Sequence, residues 1–391
     1  MTIQTTSANF RRAIALASKV IERRNTHPIL ETVRVHANGR FEVTGTDLDL
    51  SVTASVEREA GPAADFALMA PKAIVSAVSA AGDKEVRLAP TAECGKVSIA
   101  SGALAMTVAT LPADDFPLDA VRELHPEFTA TLSREHIAAL ARVADAISTE
   151  ETRYYLNGVH MSAIAGAIRF DATNGHILYR VDVPTPDAAG TLESAIIPRK
   201  AVRLLLDLAK SADGGISIVL GRIAPPNEVG STAPDRKNLL RFSASYEERA
   251  ASVQISGKTI DGMFPDVERI IPAKRDRQCV ISPAALRRAV AAVSGHERGW
   301  RAVKLAFAGS DQLTVSAAYV GLGLTAAVTV PCQHTCAGFE IGFNGGYLTS
   351  ILTAAGGDEV VLDFGDAAAP MLVRNTADTA WLGVMMPMRF D

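Results

Sequence analysis

The sequence lacks the features of a membrane or secreted protein. No apolar run in the 391-residue chain approaches the ~20 residues that a helix needs to cross a bilayer. The first residues, Met1 to Thr5, have neither the basic nor the apolar region of a signal peptide. Only four cysteines are present, and their uneven spacing is typical of free thiols in a reducing compartment. We therefore expect a cytoplasmic protein that has no membrane partner.

The chain also lacks an excess of positive charge. Its 39 lysines and arginines are outnumbered by 43 acidic residues, which gives a net charge of -4. Net charge does not report how charges are distributed over faces, so one basic surface is compatible with this balance. The composition, 48% hydrophobic and 21% charged, is that of a globular protein. The length predicts two or three domains.

Motifs for nucleotide binding are incomplete. Ser256-Gly257-Lys258-Thr259 resembles the end of a phosphate-binding loop, but Ser252 stands where that loop needs a glycine. The segment also leaves a predicted strand without entering a helix. We therefore interpret it as ordinary strand rather than as a nucleotide site.

Metal and catalytic sets are incomplete as well. Cys332, His334 and Cys336 alternate along a possible strand edge, but a structural zinc site usually needs four ligands. Asp47 and Asp49 follow a strand, where a turn is the simpler interpretation, and His176 has no identifiable nucleophile partner. The sequence predicts no cofactor, no metal and no catalytic residues, so we do not expect an enzyme.

One supersecondary pattern, an amphipathic helix followed by strands, recurs six times. The predicted helices are Ala8 to Glu22, Pro71 to Ala81 before Gly82, Arg134 to Ile147 behind Ser133, Pro198 to Lys210, Pro283 to Val293 behind Ser282, and Asn344 to Gly356. Two helices in each third of the chain predict three similar α+β domains. Residues 224–238, rich in proline, glycine and charge, read either as a loop or as a partner surface.

The predicted strands lie between these helices. Asn38-Gly39 marks a hairpin turn between the first two of them. They are 32–37, 41–46, one beginning at 86, 158–162, 168–172, 216–220, 239–244, 302–307, 313–318, 360–364, 371–374 and 381–385.

The outward faces of the helices are often basic. Lysine and arginine on one helix are ordinary solubilising residues, but their recurrence on five helices favours a surface for phosphates, contacted without regard to base sequence. The residues concerned are Arg11, Arg12, Lys19, Arg23, Arg24, Lys72, Arg134, Arg142, Arg199, Lys200, Arg203, Lys210, Arg287 and Arg288.

Several short motifs, in order along the whole chain, resemble the beta subunit of bacterial DNA polymerase III, the processivity clamp. They are His27-Pro28-Ile29-Leu30, Thr44-Gly45-Thr46-Asp47-Leu48-Asp49, Leu111-Pro112-Ala113-Asp114-Asp115-Phe116-Pro117, Arg153-Tyr154-Tyr155-Leu156-Asn157-Gly158, Ala172-Thr173-Asn174-Gly175-His176, Asp261-Gly262-Met263-Phe264-Pro265-Asp266, Glu340-Ile341-Gly342-Phe343-Asn344 and Val384-Met385-Met386-Pro387-Met388-Arg389-Phe390. Each motif is weak alone, whereas their order and spacing together are specific.

The resemblance implies the DNA clamp fold, with three clamp domains at 1–126, 127–262 and 263–391. It implies a head-to-tail homodimer, a six-domain ring that encircles double-stranded DNA independently of sequence and holds the replicative polymerase on it. The ring joint would pair Ala105 to Val108 with residues near Val293. The implied partners are the polymerase III alpha subunit, the clamp loader complex, and other DNA polymerases and repair proteins. In this family the loader, rather than the clamp, uses ATP.

Two sets of site residues follow from the resemblance. The DNA-contact positions are Arg24, Tyr154 and Tyr155, to which the basic helix face adds Arg199 and Lys200; Tyr154 can alternatively be a half-buried core aromatic. A pocket for short hydrophobic peptides of partners would comprise Leu156, Thr173, Gly175, His176, Ile177, Leu178, Pro265, Arg269, Ile270, Val384, Met386, Pro387, Met388 and Arg389. The alternative for its methionines is plain interdomain core.

Three departures from the family pattern bear on these sites. Glu150 and Glu151 stand before the tyrosine pair, where polar residues are common, which predicts weaker DNA affinity there. Ile177 replaces a common arginine, and Asp391 extends the usual apolar terminus, so both are expected to change which peptides bind. The rival interpretations are a DNA-processing enzyme, disfavoured by the missing metal and phosphate sites, and a recruitment module that does not encircle DNA.

Overall fold

The computed structural model describes residues 2–22, 24–118, 124–192, 194–223, 239–246, 251–273, 276–294, 302–309, 311–319 and 323–389. Arg23, Phe390, Asp391 and the 224–238 insert lie outside these residues, so the predictions made for them stay untested. The chain forms two units, Met1–Ile137 with Asp187–Leu192 and Lys200–Thr259, and Ala138–Pro186 with Glu193–Arg199 and Ile260–Asp391.

The described residues contain six α-helices, one for each predicted helix. Pro71 opens the second, where its fixed φ suits the first turn, and Gly82 ends it in the left-handed conformation with φ 70°. The Asn344 side chain accepts the amides of Gly346 and Tyr347 at the start of the sixth. The helices are α1 Ser7–Ala17, α2 Pro71–Ala81, α3 Arg134–Ala144, α4 Arg199–Ala209, α5 Pro283–Ser294 and α6 Gly345–Ala355.

Two helices end earlier than predicted. The predicted helix to Glu22 is wrong beyond Ala17, because the Ser18 hydroxyl donates to the Ile14 carbonyl oxygen at 2.6 Å and the chain tightens into turns. Similarly, α3 stops at Ala144 rather than at Ile147, whose amide donates to a carbonyl three residues back instead of four. The apolar spacing of the sequence continues past the ends of both helices, so it predicted helices that are too long. Local hydrogen bonds end the two helices earlier.

The strands are more numerous than predicted, and every pairing between them is antiparallel. The first third of the chain holds β1 Ile3–Thr6, β2 Val33–Asn38, β3 Arg40–Thr46, β4 Leu50–Val56, β5 Ala64–Leu68, β6 Glu85–Pro90, β7 Lys96–Ser101 and β8 Leu104–Leu111. The middle third holds β9 Leu124–Leu132, β10 Gly158–Ile164, β11 Ala167–Thr173, β12 Ile177–Pro184, β13 Ala189–Gly190, β14 Ala195–Pro198, β15 Ile216–Ile223, β16 Leu239–Tyr246 and β17 Ala251–Lys258. The last third holds β18 Arg277–Ile281, β19 Ala302–Ala308, β20 Gln312–Tyr319, β21 Leu324–Pro331, β22 Gln333–His334, β23 Glu340–Asn344, β24 Val360–Phe364, β25 Met371–Asn375 and β26 Trp381–Met385.

The first unit is built on one sheet of the order β1-β6-β7-β8-β5-β2-β3-β4-β17-β16-β15-β9-β13. Helix α1 packs on β3 and β4, where the Phe10 and Phe41 rings lie 5.8 Å apart in the core. The supposed phosphate loop is part of β17, paired with β4, as the sequence predicted.

The second unit has two sheets, β14-β10-β11-β12-β26-β25-β24-β18-β22 and β21-β20-β19-β23. Helices α5 and α6 pack on each other, and α6 covers β26, whose Trp381 lies 6.0 Å from the Tyr179 ring. Strands of the middle third thus enter the sheets of both units. The chain therefore divides by contacts into two units although its elements repeat three times.

Two strand edges bear on the predicted ring joint. Strand β8 pairs with β7 from Leu104 to Ala109, but β5 reaches only its last residues, Thr110 and Leu111. Val293 is buried in α5 and is no strand residue, and residues 295–301 lie outside the described part of the chain. The edge strands of the four-stranded sheet are β21 and β23.

Candidate functional site

A cavity of about 240 Å³ opens in the second unit beside the turn between β11 and β12. It gathers residues from four separate chain segments. Its lining consists of Arg153, Tyr155, Leu156, Thr173, Gly175, His176, Ile177, Leu178, Pro265, Asp266, Val267, Ile270, Val384 and Met386. Ten of these belong to the predicted peptide pocket, so the fold brings these ten residues together, and their role in peptide binding stays a prediction.

The cavity has an apolar, buried floor and an exposed rim. Leu178 is 1% exposed and Val384 2%, and both pack with Val267 in one cluster. At the rim, Ile270 and Met386 keep 37% and 41% of their surface in water. Exposed apolar side chains beside a concave apolar floor are a typical docking feature for an apolar ligand.

A polar turn shapes one wall. The Thr173 hydroxyl donates to the Ile177 carbonyl oxygen at 2.7 Å and accepts the Gly175 amide at 3.1 Å. The Asn174 Oδ1 accepts the amides of His176 and Ile177 at 2.9 and 3.1 Å. These bonds satisfy the turn from within, so its outer surface is free for other contacts.

Glycine suits position 175 in this turn. Its φ of 88° lies in the left-handed region, and a Cβ there would meet the Arg153 Nη1 at 2.3 Å. Arg153 itself donates to the Asn174 carbonyl oxygen at 3.1 Å and pairs with Glu150. Glu150 therefore holds an arginine at the cavity wall.

Some predicted residues do not line the cavity. Arg269 is an exposed side chain that pairs with Asp266 at 2.9 Å, and Met388 is 44% exposed while its amide donates to Gly342. Pro387 and Arg389 are likewise outside the lining. The roles assigned to these four stay predictions.

The lining also contains residues that the pocket prediction missed. Arg153, Asp266 and Val267 were not assigned to it, and Tyr155 was assigned to DNA contact. Val267 could have been found, because it lies between the assigned Pro265 and Ile270. Arg153 carries no such signal, since the fold alone brings it to the turn 21 residues later.

The predicted DNA-contact residues of the first unit differ in their environment. Arg24 is exposed and forms no ion pair with any residue that the structure describes. Lys200 is paired with Glu22 and with Asp47, and it borders a cavity of about 460 Å³ together with Lys19 and Lys72. Lys19 is paired in turn with Asp207 at 3.0 Å. Much of this basic surface is therefore neutralised within the protein.

In the second unit, Tyr154 is 53% exposed, so about half of its surface is open to solvent, and its role in DNA contact stays a prediction. Its ring packs edge-on against Tyr155 at 5.9 Å. The amide of Arg199 donates to the Asn157 carbonyl oxygen at 3.0 Å, which ties the start of α4 to the segment after the tyrosines.

The cysteines and His334 do not form a metal centre in the described residues, where no group of three suitable ligands is close enough to hold an ion. Cys279, Cys332 and Cys336 are buried, and burial raises the pKa of the Cys336 thiol to about 11. His334 uses both ring nitrogens, on the Gln312 carbonyl oxygen and the Cys336 amide. No helix of the described chain is long and apolar enough to cross a membrane.

Three family models match consecutive parts of the chain. They are the N-terminal domain of the DNA polymerase III beta subunit at residues 1–120, its central domain at 131–266 and its C-terminal domain at 268–389. The three repeats read from the sequence therefore correspond to three domains of one known family.

Relatives and solved structures agree over the whole length. The beta sliding clamp of Caulobacter vibrioides is 29% identical over 387 residues, 97% of each chain. The structure of a DnaN sliding clamp from Bartonella birtlesii bound to griselimycin is 32% identical, with all of both chains covered and a TM-score of 0.87. The Caulobacter crescentus sliding clamp is 27% identical with full coverage and the same TM-score.

Proposed function

Because this chain belongs to the DNA polymerase III beta subunit family, it is a non-catalytic DNA sliding clamp, and we propose that partners dock in the cavity beside Gly175. The observation that carries the proposal is the apolar floor of Leu178 and Val384 under an exposed Met386. Such a groove accepts short hydrophobic segments, and a flexible methionine adapts to different ones. The proposed partners are the polymerase III alpha subunit, the clamp loader complex, other DNA polymerases and repair proteins.

Recruitment through such a cavity raises local concentration rather than chemical rate. A polymerase that is tethered to a clamp on DNA meets the primer end as an intramolecular partner. The proposed domain boundaries, 126/127 and 262/263, divide the chain into three clamp domains, and the cavity residues fall in the second and third.

For ring closure, two copies would join head to tail through the open edges of β8 and β21. The unpaired side of β8, Leu104 to Val108, can continue into the exposed β21 of a second copy, and the reciprocal contact closes a two-fold ring. β21 takes the place that the sequence had assigned to the region near Val293.

For DNA contact, Arg24 is the strongest residue of the predicted set because its charge is uncompensated by the described residues. Tyr154 offers an exposed ring for stacking or for a phosphate hydrogen bond, and Arg199 and Lys200 would add charge. Lys200 would have to exchange Glu22 and Asp47 for a phosphate, so we expect it to contribute less than Arg24.

Loading onto nicked circular DNA by a clamp loader tests encirclement. A dimer should remain on circles and be lost when the circle is cut, whereas a monomer, or equal loss from both DNAs, would favour a recruitment module. Arg24→Glu should shorten retention and reduce its salt dependence. Arg87→Glu, at an arginine paired with Glu85 on the first unit's sheet, is the control and should not.

A further inference from the structure

The wall of the cavity opposite the Gly175 turn is a segment without strand pairing. Residues Phe264 to Ile271 lie between β17 and β18 and contain only the short 3-10 turn Val267–Ile270. Pro265, Asp266, Val267 and Ile270 nevertheless line the cavity. Backbone ladders do not hold this wall, so its position depends on side chains.

Glu268 provides the polar contacts that attach this wall to the sheet. It lies between the lining residues Val267 and Ile270 but does not itself line the cavity. Its Oε1 accepts from the Arg180 Nη1 at 2.5 Å and from the Arg169 Nη1 at 3.1 Å. One carboxylate therefore fastens the turn to two arginines of the sheet.

Both arginines are also held by aspartates of the sheet, independently of Glu268. The Arg180 Nε donates to Asp171 at 2.7 Å, and their side chains are only 6% and 2% exposed. Arg169 is held by two bonds to Asp182, at 2.7 and 2.8 Å. Arg169 thus has one guanidinium nitrogen left for Glu268 and Arg180 has two, and charge-assisted bonds to a fixed donor are strong.

Two apolar contacts complete the attachment. The Phe264 ring stacks on His160 of β10, with centroids 4.6 Å apart and planes at 7°. Val267 packs on Leu178 of β12, which is two residues from Arg180 and hence on the same strand face. The wall is therefore anchored on three adjacent strands, β10, β11 and β12.

We propose that Arg180 and Arg169, acting through Glu268, are positioning residues that hold this wall in its binding geometry before a ligand arrives. The inference rests on the proposed function of the cavity and extends it to residues that no ligand touches. If the wall is held only part of the time, apparent affinity falls by the fraction of molecules in the competent state.

The first test needs no ligand. Glu268→Gln keeps the shape of a side chain that is 61% exposed, so the chain should still fold. Hydrogen exchange of the amides of residues 266–271 should become roughly tenfold faster. Glu340→Gln, which breaks the Lys304–Glu340 pair at 2.6 Å elsewhere in the unit, is the matched control. Exchange that is equal in wild type and Glu268→Gln would overturn the proposal.

The second test separates positioning from contact. Binding of a fluorescently labelled, leucine-rich hexapeptide is followed by stopped flow. Glu268→Gln should slow association roughly three- to tenfold and leave dissociation unchanged, with Glu340→Gln like wild type. Faster dissociation with unchanged association would mean that Glu268 touches the ligand, and would contradict the proposal. If wild type binds no peptide, the proposed docking function fails, and the exchange test still decides whether the arginines hold the wall.

Discussion

The turn at residues 46–50 and the turn at 173–177 are built from the same hydrogen bonds. In the first turn, the Thr46 hydroxyl donates to the Leu50 carbonyl oxygen and accepts from the Leu48 amide. The Asp47 Oδ1 accepts from the amides of Asp49 and Leu50. Thr173 and Asn174 repeat every one of these bonds. The third residue is left-handed in both, with φ 81° at Leu48 and 88° at Gly175.

The chemistry placed on this shared backbone differs. Beside the first turn, the backbone amide of Lys258 donates to the Asp49 carbonyl oxygen, and the Lys258 side chain pairs with the Asp49 carboxylate. The same position beside the second turn is Met386, whose amide donates to His176. One turn is thus surrounded by ion pairs, and the other borders an apolar cavity. The repeated turn therefore supplies the backbone geometry, while a few side chains decide whether a binding site results.

The largest effect is expected from Gly175→Ala. The left-handed φ and the clash with Arg153 together should cost about 1–3 kcal/mol of unfolding free energy and weaken peptide binding. Gly166→Ala is the control, because its φ is 72° but nothing lies within 4 Å of the added Cβ. Urea midpoints and peptide titrations of both variants separate backbone strain from the clash; equal effects would show that Arg153 is irrelevant.

Met386→Lys gives the second turn the residue found beside the first. A lysine at this half-exposed rim should lower the affinity for an apolar peptide roughly tenfold, because its charge is desolvated on binding. Met263→Lys, at an exposed methionine outside the lining, should bind like wild type. Fluorescence anisotropy measures both, and equal losses would mean that the lysine charge weakens binding without regard to its place at the rim.

Asp47→Asn gives the first turn the asparagine that the second turn has at Asn174. The amide oxygen can keep the turn, but Lys200 loses a partner that is only 12% exposed, so stability should fall by about 1 kcal/mol. Asp49→Asn removes a pair with a 79% exposed carboxylate and should cost nearly nothing. Urea unfolding compares them, and equal midpoints would mean that the Lys200 pair is not stabilising.

The smallest effect, and the only gain, is expected from Leu48→Gly. Leu48 is 49% exposed in a conformation that suits glycine, so relief of strain should add about 0.5–1 kcal/mol after the entropy that glycine adds to the unfolded chain is subtracted. Leu118→Gly, at another partly exposed leucine, should not stabilise. A lower urea midpoint for Leu48→Gly would show that the leucine packs on something that matters.

Sequence reasoning found the helices because their apolar spacing and caps are local, as Pro71, Gly82 and Asn344 illustrate. It missed β4 and β12, the strands that follow the two turns, since both are buried on both faces and lack clear alternation. Most of the cavity could be assigned by family resemblance. The Arg153 contact and the Glu268 attachment could not, because each depends on side chains brought together by sheet pairing.

The place where a partner peptide docks can be mapped by photo-crosslinking. A leucine-rich hexapeptide that carries a benzophenone is irradiated with the full-length protein, and the attached residues are identified by mass spectrometry. We predict crosslinks at residues 173–178 and at Met386, and their loss in Met386→Lys. Crosslinks at residues 46–50, or an unchanged pattern in the variant, would contradict the assignment of partner docking to the second turn.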